Sequence, residues 1–283
     1  MRKMSEVVRT WVKAFSAVKQ YPVMIFPFAI AAVIDCMVLA LLFFAPQEPL
    51  VTVFGPVIRV FWGEEYLHYP FNLALLPRLF SYGKECTVLV IGMLLTAIAT
   101  GMMYQAARGV SVRPWVVMER SIRKYIPLAL VWVGVLLITY VSFKGASFLG
   151  RNGGLSSQSL FVLSAIVALS IEMVLMYCLP LIVVEKRGVL SSGYRALRMV
   201  RKYFLESFLM VLVPNLIVLP VMAAYAKLPF LSELLFPEIV LVVLLLRIVM
   251  LTVADFIITA SGTMFLVNQG ELSACAVRKS GRT

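Results

Sequence analysis

Apolar residues run through this chain in six blocks, at about 23–45, 86–107, 126–148, 159–184, 206–226 and 239–267. Each is long enough to cross the roughly 30 Å of bilayer hydrocarbon, for which a helix needs about 20 residues. A barrel strand would alternate apolar and polar positions over about ten residues, and these blocks do not alternate. Backbone groups in hydrocarbon have no water to pair with, so continuous runs of this kind are helices. The pattern predicts an all-α polytopic helical membrane protein with six spans and amphipathic helices on one face.

Between the spans, the polar pattern is helical too. Tyr21, Tyr125 and Tyr203 each end a basic stretch and lead into a span. Two residues before them come Lys19, Arg123 and Arg201. Three before come Val18, Ile122 and Val200, and seven before come Ala14, Met118 and Ala196. Apolar residues four apart, with cations beside them, make a helix that lies on headgroups. The chain therefore reads as one transmembrane domain of three units, 1–107, 108–184 and 185–283, each a surface helix followed by a helical hairpin. The alternative is that any membrane protein places basic helices and an interfacial Tyr beside its spans.

Composition fits the bilayer. Hydrophobic residues make up 61% of the chain and charged residues 14%, against about 45–50% and 25% in a soluble domain. The net charge of +12 is placed for a membrane and not for nucleic acid. Of the 26 Lys and Arg, 19 fall at the N-terminus, in the second and fourth connections and in the tail. That asymmetry puts both termini in the cytoplasm of a prokaryotic inner membrane, by the positive-inside rule. Lys19, Arg120, Arg123, Lys124, Arg195, Arg198, Arg201 and Lys202 are candidates to meet anionic lipid headgroups. No cleavable signal peptide is visible, because the first apolar run is too long for one and follows an amphipathic stretch.

One long outside connection, 46–85, is rich in aromatics such as Phe61, Trp62, Tyr66 and Tyr69. It is expected to rest on the outer interface in short pieces broken at Pro70 and Pro77; a lid or docking surface is the functional alternative.

Ionisable side chains inside spans are costly, and they are where function is sought first. Asp35, Glu172 and Asp255 each lie about twelve residues, roughly 18 Å, from the cytoplasmic end of their spans. Arg247 lies about 12 Å further out than Asp255 and is rotated away from it, so its expected partner is a carboxylate on another helix. Three carboxylates with one arginine, joined by Asn215 near a helix kinked at Pro214 and Pro220, could carry protons or bind a cation or polar solute. Structural ion pairs, or carboxyls kept neutral by burial, are the plain alternative.

Motifs of catalysis, metal binding or nucleotide binding are absent, and no cofactor is implied. Cys36, Cys86, Cys178 and Cys275 read as small buried residues, and His68 as an interfacial ring.

The stretch 178–208 runs "CLPLIVVEKRGVLSSGYRALRMVRKYFLESF". Pro180 to Val184, Glu185, Gly188 to Leu190 and Arg198 to Tyr203 resemble the end of a span and the basic helix that follows it in six-helix, uncharacterised prokaryotic membrane proteins. Similar domains are fused to some glycerophosphodiester phosphodiesterases. The resemblance implies a non-catalytic membrane module, without the phosphodiesterase activity. The expected function is a non-enzymatic module that binds anionic lipid and scaffolds or assists a protein partner. The alternative is a pathway for a small solute or lipid through the buried charged residues.

Overall fold

In a computed structural model, which describes residues 2–153, 157–185 and 188–270, the chain is a polytopic helical membrane protein. Lys186, Arg187, Cys275 and the cations of the tail lie outside the described residues.

The elements run in the order α1 (Arg2–Gln20), α2 (Phe26–Phe43), α3 (Val51–Phe61), α4 (Phe71–Thr87), α5 (Met93–Ala107), α6 (Pro114–Ile122), α7 (Tyr125–Gly153), α8 (Ser157–Glu185), α9 (Val189–Lys202), α10 (Phe204–Ala226), α11 (Leu228–Leu234) and α12 (Ile239–Asn268). Short 3₁₀ turns at Pro22–Ile25 and Glu64–Leu67 and a π-helical turn at Val88–Gly92 join three of the pairs. Six segments are long and apolar enough to cross a membrane: Pro22–Phe43, Phe71–Ala107, Tyr125–Ser142, Val162–Glu185, Phe204–Ala226 and Ile239–Asn268.

Five spans match the apolar blocks of the sequence. The second differs, because helix begins at Phe71 and runs 37 residues through the π turn to Ala107. The connection is therefore shorter than 46–85, and Pro77 lies inside α4. Pro70 does cap that helix. A proline within a helix costs about 3 kcal/mol. Here Leu73, Leu76 and Phe80 bury one stripe of α4 against the protein, and that packing holds the helix through Pro77. α10 likewise continues through Pro214 and Pro220.

Tyr21 and Tyr203 stand between a basic helix and a span, and Tyr125 is the first residue of its span. Compactness divides the chain differently from its threefold sequence pattern. One unit gathers the described residues of Met1–Pro27, Met93–Pro214 and Asp255–Thr283, and the other comprises Phe28–Gly92 and Asn215–Ala254.

The first unit contains α1 and α5 to α9, and its core includes Val7, Met93, Ala97, Leu128, Tyr177, Leu181, Met199, Met210 and Phe265. Glycine sets the spacing at two of its crossings. A Cβ on Gly101 of α5 would collide with Val117 of α6, and one on Gly262 of α12 with Met176 of α8. The second unit has its own core of Leu39, Leu73, Leu76, Phe80, Leu228, Val240, Val243, Leu244 and Ile248.

Candidate functional site

Four helices of the second unit each carry a buried apolar stripe, and each stripe runs into a polar residue. On α2 the buried positions from Phe28 onward are Phe28, Asp35 and Leu39, spaced by seven and four. On α4, Leu73, Leu76 and Phe80 are followed four residues later by Lys84. On α10, Val218 and Val221 precede Tyr225, and on α12, Val243 and Leu244 precede Arg247. Residues three or four apart share a helix face, so these side chains are carried to the same side as the apolar ones before them.

Lys84 Nζ stands 3.6 Å from Asp35 Oδ2, with the two side chains 20% and 11% exposed. This exceeds the 2.7–3.2 Å of a good N–H···O bond, so the pair is loose. The charge of Arg247 also acts on Asp35. Its guanidinium lies over the Tyr225 ring at 4.2 Å from the centroid. The Tyr225 hydroxyl is anchored in turn, 3.1 Å from Ser81 Oγ and donating to the Pro77 carbonyl at 3.1 Å. Pro77 and Tyr225 thus hold the ring face under Arg247. Gly83 allows α2 and α4 to come close, since a Cβ there would stand 2.9 Å from Val38 Cγ1.

Only part of the sequence-predicted set meets here. Asp35 and Arg247 both belong to this unit, and the charge of Arg247 acts on Asp35. Lys84 and Tyr225 join them, and no motif or spacing in the sequence singles these two out. Asn215 is half-buried on α10 of the same unit. Glu172, half-buried on α8, and Asp255, exposed on α12, belong to the first unit.

The headgroup candidates fall on α1, α6 and α9 or directly after them, all in the first unit. α9 buries Ser192, Ala196 and Met199. Elsewhere on the helix it exposes Leu190, Tyr194 and Leu197, at 89%, 66% and 52%, beside exposed Arg198, Arg201 and Lys202. Arg198 stacks on Tyr194 and Lys202 on Tyr203. Arg195 differs: it donates at 2.7 Å to Glu185, whose side chain is 1% exposed.

α1 has the same two-sided character, with Val7, Thr10 and Ala14 buried and Met4, Val8, Val12 and Phe15 exposed, ending near exposed Lys19. α6 exposes Trp115, Val116 and Arg120. In the turn after it Arg123 is exposed and paired with Glu119, and Lys124 is half-buried.

Away from these helices, the Tyr69 hydroxyl donates to Glu238 Oε1 at 3.1 Å. That bond, chiefly, raises the Tyr69 pKa above its ordinary value. His68 beside it is exposed. Compared with known protein families, curated proteins and solved structures, the chain matches none.

Proposed function

We propose that this chain is a non-enzymatic module of a prokaryotic inner membrane that binds anionic lipid through α1, α6 and α9 on the cytoplasmic side and scaffolds or assists a membrane partner. The carrying observation is α9, where Leu190, Tyr194 and Leu197 are exposed next to Arg198, Arg201 and Lys202. A water-facing helix has no reason to expose an apolar row of that size. One lying at a bilayer surface seats such residues at the headgroup–acyl boundary and sets its cations on phosphate. The excess of Lys and Arg in the same connections supports the cytoplasmic side.

Each Lys or Arg near an anionic surface contributes about 1 kcal/mol. Replacing Arg198, Arg201 and Lys202 together with Gln is therefore expected to weaken retention of phosphatidylglycerol on the order of a hundredfold. Native mass spectrometry of protein released from mixed phosphatidylglycerol–phosphatidylcholine nanodiscs reads this directly. Arg195→Gln should instead lower thermal stability, because it leaves the buried Glu185 carboxylate without this cation. Undiminished phosphatidylglycerol on the triple variant would sink the reading.

The second reading, a pathway for a small solute or lipid, draws on a different observation, the charges around Asp35 in the second unit.

A further inference from the structure

The buried charges of the second unit have the opposite balance to the one their sequence suggests. In place of three acids against one base, two cations, Lys84 and Arg247, stand with the one buried carboxylate of Asp35, and Glu85 beside Lys84 is exposed. Asp35, Lys84 and Arg247 all lie within apolar helices. Asp35 is eight residues from the end of α2 and Arg247 eight from the start of α12, so each sits about 12 Å in from a helix end. A charge at such depth needs compensation, and the loose Asp35–Lys84 pair leaves one positive charge over.

Arg247 shows where that charge is directed. Its Nε and Nη1 are shielded from solvent and meet no hydrogen-bond acceptor among the described residues. The Tyr225 ring covers a face of the guanidinium, but a ring face does not accept the N–H groups that point outward in the guanidinium plane. A buried donor left unfilled carries the full cost of its lost hydration. The planar guanidinium suits carboxylate and phosphate oxygens above other acceptors.

The surroundings give the rest of the ligand. On the two helices that form the ion pair, Val33, Met37, Tyr82 and Cys86 flank Asp35 and Lys84 and are exposed on membrane-spanning segments, with the Glu85 carboxylate exposed among them. A ligand reaching Lys84 by that route passes through lipid.

We infer that Lys84 and Arg247 form an intramembrane anion site, with Asp35 setting its net charge at plus one, for the carboxylate or phosphate head of a membrane-soluble amphiphile. This site is separate from the α9 surface, since its residues belong to the second unit and those of α9 to the first. It gives the pathway reading a substrate class, and its failure would leave the surface-helix reading standing.

The test uses the full chain in phosphatidylcholine nanodiscs doped with a phosphatidic acid that carries a diazirine on its acyl chain. After photolysis, labelled peptides are mapped by mass spectrometry. Labelling is expected on the peptides around Asp35, Lys84 and Arg247. Arg247→Gln and Lys84→Gln should each reduce it about tenfold or more, while Asp35→Asn, which adds a net positive charge, should increase it. A structural ion pair predicts no such opposition in sign. The Arg198, Arg201 and Lys202 triple variant should leave these peptides labelled as before.

Adding inorganic phosphate separates the sources of the anion. Undisturbed labelling assigns the site to a lipid-borne head. Competition keeps the anion site but overturns its assignment to the lipid phase. Equal labelling in wild type, Lys84→Gln and Asp35→Asn would overturn the site altogether, and it does so even if Arg247→Gln fails to fold.

Discussion

Tyr69 and Glu238 form a hydrogen bond outside the spans whose effect can be read by titration. Because Glu238 accepts from its hydroxyl, Tyr69 holds its proton above the ordinary value of 10.0. A group whose pKa is raised by folding lends stability below its unfolded pKa and loses it as pH climbs through the folded one. The contribution of this bond is thus intact at neutral pH and disappears only in strong alkali. In a titration of phenolate absorbance, Glu238→Gln should bring the Tyr69 transition back toward the ordinary range, and Tyr69→Phe should remove that transition from the curve. An unaltered curve in Glu238→Gln would show that the bond does not form. At this scale the sequence was legible where chemistry is unusual for its setting. Asp35 and Arg247 stood out because charges in apolar runs are rare. Lys84 did not, because Pro77, Gly83 and the aromatics around them resembled a loop, which hid a cation on a continuous helix.

Among the elements, helix faces could be read from spacing and helix approach could not. The pattern ending in Tyr203 puts Ala196 on the apolar face of its helix, and the structure buries it in the protein, while Gly262 sits inside an apolar block with nothing to show that it faces a neighbour. In the structure it adjoins both the side chain and the carbonyl oxygen of Met176. Gly262→Val should therefore cost about 1–3 kcal/mol through overpacking. Gly134 on α7 has open space around it, and Gly134→Ala should be neutral or stabilising by up to about 1 kcal/mol, since alanine favours helix. Thermal unfolding in one detergent compares the two. Equal loss at both positions would mean that helix propensity, and not the α8–α12 approach, governs stability here. The start of the second span is not legible in the sequence either, because the apolar stripe of α4 is narrow and interrupted by Asn72, Pro77 and Arg78, so no continuous block marks it.

For the whole molecule, six spans followed from hydrophobic length alone, and the division into two compact units did not. Compactness depends on which distant segments pack together, and local pattern carries no record of Phe28–Gly92 keeping company with Asn215–Ala254. Sidedness rests on the Lys and Arg asymmetry and is open to a direct check. With the native cysteines replaced by Ala, Arg201→Cys should react with an impermeant maleimide only in inside-out vesicles, and Phe61→Cys only on intact cells. The reverse result would invert the orientation and move α9 to the other leaflet.

Gly83 and Lys84 are neighbours in sequence with different duties. One keeps α2 and α4 close, and the other supplies the charge that this closeness brings to Asp35. Bulk at position 83 and lost charge at position 84 are then two routes to one defect, so their effects should not add.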